Sequence, residues 1–281
     1  MATLSGYGYL RELIYSLSQN VLDPSRDYLF DTRLSRLLRN QGIDSIGELV
    51  QRLRSTRNPT LEMAVAEAMT INETSFFRDV RPFDLLRNEL LPAIIEARRP
   101  VRSLRFWSAA CSTGQEAYSL AMLLLDSFPH LAQWNLIIEG TDLSSEVVER
   151  AQSGRYHRLE INRGLPARFV VRYFDHAGED WTVKPEVRRL CRFRQANLNA
   201  PSLPFSPIPA SDLGRFDVIL LRNVMLYFSM DTRRALLAGI HRLLASDGIL
   251  FLGSSEQPAD PSLWKPILSG GTSYYRPRRP N

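Results

Sequence analysis

A chain of 281 residues, 44% of them hydrophobic, can build one large domain or two smaller ones and argues against wholesale disorder. No apolar run approaches the roughly 20 residues that span a bilayer, and two cysteines, Cys111 and Cys191, are too few for a disulfide framework or a cysteine metal site. The net charge of +5 admits an acidic partner or nucleic acid; only two of the 35 basic residues are lysines, Lys184 and Lys265, a preference that genome composition accounts for, and the charge alone does not argue for nucleic-acid binding. The opening Met-Ala-Thr-Leu-Ser-Gly lacks the basic-then-apolar pattern of a signal peptide, and a cytoplasmic location is expected. The histidines lie far apart in sequence, so no metal site is expected.

Residues 7–70 read as all-helical. Leu10, Leu13, Ile14 and Leu17 follow helical spacing, as do Phe30, Leu34, Leu37 and Leu38, then Ile46, Leu49, Val50 and Leu53. Ser45 with Glu48 forms a capping box, Gly42 ends the helix before it, and Asn58-Pro59 starts another. Arg33, Arg36 and Arg39 fall on one side of the second helix, which suits either a solvated face or a docking surface for an acidic helix.

Residues 69–79 have no clean period and carry the adjacent aromatics Phe76 and Phe77. Pro82 opens a helix through Phe83, Leu86, Leu90 and Ile94, with Pro92 as a kink or restart. From residue 101 strand and helix alternate, as in a doubly wound sheet. Strands are expected near 104–108, 136–141, 216–222 and 249–254, and helices near 115–126, 145–153 and 230–245. The stretch Ser108 to Gly114 is a small-residue loop between the first strand and its helix, the place where such folds bind a cofactor, although an ordinary βα turn has the same form. Asp142 ends the second strand, where a carboxylate either binds a ribose or caps the next helix.

Trp181-Thr-Val183 and Leu190-Cys-Arg-Phe-Arg194 suggest a small antiparallel insert within about 155–196. Pro201, Pro204, Pro207 and Pro209 mark a surface loop, Tyr274 and Tyr275 a last antiparallel strand, and the closing Arg-Pro-Arg-Arg-Pro-Asn a disordered tail. The expected organisation is a helical domain over 1–70, a linker and helix over 71–100, and an α/β domain over 101–281.

The combination Asn-Glu-Thr-Ser-Phe-Phe-Arg-Asp, Trp-Ser-Ala-Ala-Cys-Ser-Thr-Gly-Gln-Glu-Ala-Tyr-Ser, Thr-Asp-Leu-Ser, Ala-Asn-Leu and Arg-Asn-Val-Met-Leu-Tyr-Phe resembles the CheR family of chemotaxis receptor glutamate O-methyltransferases. The resemblance covers about residues 10 to 276, with the motifs in family order. It implies a Rossmann-like methyltransferase sheet behind a receptor-facing helical domain, with S-adenosylmethionine as cofactor and S-adenosylhomocysteine as product. By resemblance, Asn72, Thr74 and Arg78 reach the cofactor from the linker, Glu116 lies near its methionine end, and Asp142 takes the ribose. Asn197 and Leu198 flank the adenine, Arg222 and Asn223 line the floor under the sulfonium, and Tyr227 stands beside the transferred methyl. Arg78 and Tyr227 are thereby the expected catalytic pair. The resemblance also implies chemoreceptors as partners, met by Arg33, Arg36 and Arg39, with a receptor's C-terminal pentapeptide on the insert in some members. Two departures stand out. The family's glycine before the cysteine is Ala110, and its Glu-Glu-Pro is Gln115-Glu116-Ala117. Should the loop need positive φ at 110, alanine costs about 1 kcal/mol.

Glutamate is already ionised at neutral pH and a sulfonium is already an activated donor, so this chemistry needs no general base. That agrees with the lack of a conspicuous catalytic histidine or cysteine. Two other classes remain: a methyltransferase for RNA or a small molecule, suggested by the basic charge, and a non-catalytic cofactor-binding regulator, suggested by Ala110 and Gln115. Against the first, the tip Arg222-Asn-Val-Met lacks the Asn/Asp-Pro-Pro-aromatic form of enzymes that methylate nucleic-acid amino groups.

Overall fold

The computed structural model describes residues 6–200, 203, 205 and 214–278. The chain divides into two compact units, Met1–Ile71 with Leu226–Thr232, and Asn72–Met225 with Arg233–Asn281. The expected proline-rich loop lies largely outside the described residues.

The first unit packs four helices: α1 (Gly6–Ser18), α2 (Tyr28–Gln41), α3 (Ile46–Ser55) and α4 (Pro59–Ala68). Their apolar stripes meet in one core, with Leu10 and Ile14 against Phe30, Leu34, Leu49, Leu53 and Val65, all buried. Helix ends follow the local chemistry. Asn58 Oδ1 accepts the Leu61 N–H at 3.1 Å ahead of Pro59, and Gly42 closes α2 in the left-handed region at φ 59°. The box at α3 is shifted by one residue: Ser45 Oγ accepts the Glu48 N–H, but the Glu48 carboxylate reaches back to the Asp44 N–H at 2.9 Å. The later segment joins this unit through Val21, whose N–H donates to the Tyr227 carbonyl at 2.8 Å.

In the second unit α5 (Arg81–Leu85), a π-helical turn (Leu86–Leu90) and α6 (Leu91–Arg98) form one interrupted helix. Pro92 supplies no amide for an i→i−4 bond, and the widened turn falls just before it. Then come β1 (Ser103–Ala109), α7 (Gln115–Ser127), β2 (Asn135–Asp142) and α8 (Ser145–Ser153). An insert follows with β3 (Arg155–His157), α9 (Arg158–Ile161), α10 (Ala167–Tyr173), β4 (Phe174–Ala177), β5 (Asp180–Val183) and α11 (Pro185–Arg188). The chain returns through β6 (Cys191–Gln195), β7 (Phe216–Leu221), α12 (Met230–Leu243), β8 (Leu244–Leu252), β9 (Trp264–Ser269) and β10 (Thr272–Pro277).

The main sheet has the order β6-β2-β1-β7-β8-β10-β9, with β10 antiparallel to β8 and to β9 and the rest parallel. All six residues of β7 are buried, as expected of a central parallel strand covered on both faces. Among the described residues no helix is long and apolar enough to cross a membrane.

Three expectations need correction. Cys191–Gln195 is not part of the insert: it pairs parallel with β2, Ile138 opposite Cys191, and forms an edge of the main sheet. The insert sheet is β3-β5-β4 and carries three short helices besides. The closing residues are ordered further than expected, because β10 runs to Pro277 and the Arg278 N–H donates to the Leu263 carbonyl at 2.8 Å; Arg279 to Asn281 lie outside the described residues. The unforeseen β9 is turned into β10 by Gly270 and Gly271, both at positive φ, as a two-residue hairpin turn requires.

Below the sheet, Arg98 at the end of α6 binds Asp217 of β7 at 2.7 Å and Asp247 of β8 at 2.5 Å, while the Arg105 N–H takes the other Asp217 oxygen at 2.8 Å. Burial pushes the Asp217 carboxyl up, and the Arg105 amide and Arg98 guanidinium oppose that shift. Arg98→Ala leaves Asp217 buried without its counterion and is expected to cost about 3 kcal/mol in urea unfolding. A further rise in the folded-state pKa of Asp217 means that the variant's folded state takes up this proton more readily than its unfolded state. The variant's deficit therefore is greatest near neutral pH and narrows on acidification, which unfolding curves at a series of pH values would show.

Candidate functional site

The loop from β1 to α7 holds an unusual backbone. Ala110 and Ser112 lie at φ 60° and 50°, and Gly114 at 92°. The alanine thus bears the left-handed strain that its sequence position suggested, on the order of 1 kcal/mol. Neighbours fix the loop at Cys111, Ser112 and Thr113. The Cys111 N–H donates to the Thr141 carbonyl at 2.9 Å, the Ser112 N–H to Asp142 Oδ2 at 2.8 Å, and the Tyr156 hydroxyl of β3 to the Thr113 carbonyl at 2.6 Å. Ser112 Oγ donates to the Asn72 carbonyl at 2.7 Å, which ties the linker to the loop.

The glutamine at 115 has its own logic. Gln115 Oε1 accepts from Thr113 Oγ1 at 2.8 Å while its amide group faces Glu160 Oε1 at 3.4 Å. A glutamate there would set two carboxylates against each other. Cys111 is buried, and burial together with the Asp142 and Glu116 carboxylates pushes its thiol well up, so it supplies no thiolate near neutral pH.

Asp142 is buried at the end of β2. Its two oxygens accept the Ser112 and Ser144 amides at 2.8 and 3.1 Å, so it caps the following turn as well as the loop. The Ala196 N–H donates to the Asp142 carbonyl at 2.7 Å, which brings Asn197 and buried Leu198 beside this strand end.

The strand tip after β7 carries the strongest electrostatics. The Arg222 side chain is 2% exposed. It donates to Glu116 Oε2 at 3.0 Å, to Asp79 Oδ2 at 2.6 Å and to the Arg78 carbonyl at 2.9 Å. Glu116 in turn accepts from Ser108 Oγ at 2.6 Å. One guanidinium thereby joins the β7 tip, the first turn of α7 and the linker. The linker turn it holds is strained, with Phe77, Asp79 and Val80 at φ 48°, 65° and 30°. Arg78 folds back, its Nη1 donating to the Glu73 carbonyl at 2.8 Å, and Glu73 pairs with Arg163 of the insert at 2.5 Å. Asn223, at φ 61°, keeps a buried Oδ1 without a hydrogen-bond partner.

The structure therefore gathers Asn72, Arg78, Glu116, Asp142, Asn197, Leu198, Arg222 and Asn223 at the carboxyl ends of β1, β2 and β7 within one unit, with Thr74 in the same linker. Tyr227 belongs to the segment that partitions with the helical unit. The three arginines of α2 do not form one free face: half-buried Arg33 donates to the Met69 carbonyl at 2.9 Å, whereas Arg36 and Arg39 are exposed. No group of three or more potential metal ligands occurs among the described residues.

Sequence reasoning missed Asp79, Ser112 and above all Glu256. The Glu256 carboxylate, in a residue 5% exposed, accepts three amides, from Asn223 and Gly253 on Oε2 and Met225 on Oε1, each at 2.7 Å. It is the positioning residue of the Arg222-Asn223 tip. The only signal was an acid four residues beyond an apolar strand. Glu256→Gln can satisfy two of these amides and turns an NH2 toward the third, at an expected cost of about 1–3 kcal/mol in urea or thermal unfolding.

Comparison with known proteins agrees with this geometry. Residues 72–270 match the family model for the CheR methyltransferase SAM binding domain, and residues 5–70 the model for the CheR methyltransferase all-alpha domain. The chain is 43% identical over 241 residues to chemotaxis protein methyltransferase 1 of Pseudomonas aeruginosa, with 84% of each chain covered. It is 41% identical to chemotaxis protein methyltransferase Cher2 of Pseudomonas putida, again over 84% of each. It is 39% identical to chemotaxis protein methyltransferase 1 of Vibrio cholerae, over 84% of this chain and 83% of that one. With matching models over both its units and relatives this similar along most of their length, the chain belongs to the CheR methyltransferase family and is an S-adenosylmethionine-dependent methyltransferase.

Proposed function

We propose that the chain esterifies glutamate side chains of chemoreceptors in the cytoplasm, with the cofactor at the strand ends described above and Arg78 and Tyr227 bordering the methyl group. The observation that carries this reading is the convergence of Asn72, Glu116, Asp142, Arg222 and Asn223 around a cluster with no general base. When bound, the cofactor supplies a sulfonium-activated methyl. The residues present suit it. The Asp142 carboxylate at the end of β2 suits ribose hydroxyls as an acceptor, and the unpartnered Asn223 Oδ1 suits a cationic donor. Arg222, held through both terminal nitrogens by two acids and a carbonyl, serves as a rigid floor. Alignment of a carboxylate with an activated methyl can supply on the order of 7–11 kcal/mol without any proton transfer. Arg36 and Arg39 offer charge to an acidic receptor helix, and the insert a place for a receptor's C-terminal pentapeptide.

Three substitutions test the assignment. Asp142→Ala removes a charged acceptor, and titration calorimetry is expected to show binding of S-adenosylhomocysteine weakened by about 1.5–3 kcal/mol. Unchanged affinity would remove Asp142 from the ribose site. Tyr227→Phe is expected to keep that affinity and lower turnover on receptor-bearing membranes roughly 10- to 100-fold. Arg78→Ala separates two roles: lost affinity places the guanidinium on the cofactor, while intact affinity with lost turnover places it on the glutamate. Parental turnover in Tyr227→Phe would make that residue a packing aromatic only.

A further inference from the structure

Beyond Arg222, away from the β1–α7 loop, the α/β unit contains a cavity of about 400 Å³. Its walls are the linker turn (Asp79, Arg81), the segment after β8 (Ser254, Glu256) and the β9–β10 hairpin (Thr272, Tyr275), with Arg222 as a shared wall. That volume suits a side chain of glutamate size with part of its backbone.

The charges in this cavity are unequal in their freedom. Arg222 is held by Glu116 and Asp79, and Glu256 by its three amides. Arg81 is different. Its guanidinium makes no hydrogen bond or ion pair among the described residues, although it is exposed at the mouth. The hairpin makes room for it: a Cβ on Gly271 would lie 3.2 Å from Arg81 Nη1. Its backbone is fixed, because Arg81 starts α5 directly after the strained Asp79–Val80 turn that Arg222 anchors. The Ser254, Thr272 and Tyr275 hydroxyls beside it likewise make no hydrogen bond among the described residues.

A free, positioned cation in a polar cavity that shares a wall with the proposed methyl-transfer site is complementary to a carboxylate. We propose that this cavity is the acceptor subsite, and that Arg81 selects an acidic acceptor segment by pairing with one of its carboxylates. The assignment rests on the glutamate-methylating function proposed above. It makes Arg81 a specificity residue that acts on the protein substrate and leaves the cofactor alone.

The test compares parent, Arg81→Ala, Arg81→Glu and Arg81→Lys as full-length chains. Transfer of labelled methyl to a purified receptor cytoplasmic fragment gives KM and kcat, and calorimetry gives affinity for S-adenosylhomocysteine. Arg81→Ala is expected to raise KM roughly 10- to 100-fold, Arg81→Glu further, and Arg81→Lys less than either, with kcat and cofactor affinity at parental values. Added salt is expected to shrink the differences in KM. Equal KM for parent and Arg81→Ala would overturn the subsite while leaving the glutamate reading intact. Loss of cofactor affinity in Arg81→Ala would instead place this cation on the cofactor's own carboxylate and also overturn it. A parent chain that binds S-adenosylhomocysteine but transfers no methyl to any receptor fragment would overturn the functional reading, and the subsite with it.

Discussion

The buried Arg222 guanidinium is the interaction on which the candidate site depends. A cation taken out of water loses several kcal/mol of hydration, which only close partners recover. Glu116 and Asp79 come from segments more than 30 residues apart, and both must arrive for the charge to be tolerated. The linker is therefore placed by electrostatics. Its backbone alone would not choose that turn, because Phe77, Asp79 and Val80 all sit at positive φ and Val80 is β-branched. The charge cluster holds what local preference opposes, and Arg81 inherits its position from the same turn.

The fold was largely legible because buried parallel strands announce themselves. Val218–Leu221 is an unbroken apolar run, and the strand observed there, Phe216–Leu221, ends one residue short of the expected 216–222. The failures have one cause, the remoteness of the pairing partner. Cys191–Gln195 alternates half-buried and exposed residues, as a hairpin in the insert would. Only its pairing with Asn135–Asp142, some 50 residues earlier, makes it a sheet edge. Trp264–Ser269 was hidden by Lys265 and Pro266, which an edge strand accepts and a central one does not.

At the site, residues that act through side chains in recognisable motifs could be named in advance. Those that act on backbone could not. Glu256 organises the Arg222-Asn223 tip entirely by accepting amides, and Ser112 offers its own amide to Asp142. Such bonds leave no pattern in sequence, since any residue has an amide to give. By sequence Asp142 is a ribose acceptor or a cap, and the structure shows it holding backbone amides. Both oxygens take amides, from Ser112 and Ser144, and these bonds hold the carboxylate still.

A reaction between an anion and an already activated cation disperses charge, so there is little for acid–base groups to do and much for geometry to do. The site is built accordingly. Its ionised groups Glu116, Arg222, Asp142 and Glu256 all bond to protein, and burial keeps the Cys111 thiol neutral. Strain is concentrated in the three segments that converge there: the linker turn, the Ala110–Gly114 loop and Asn223. Several of these strained residues are held by hydrogen bonds from another element, as with the Ser112 amide on Asp142, the Asn223 amide on Glu256 and the Asp79 carboxylate under Arg222. Rigid placement of unreactive groups is what an alignment catalyst requires. The same rigidity explains why Ala110 can stand where a glycine would be easier: about 1 kcal/mol of local strain is small beside the bonds that hold the loop at Cys111, Ser112 and Thr113.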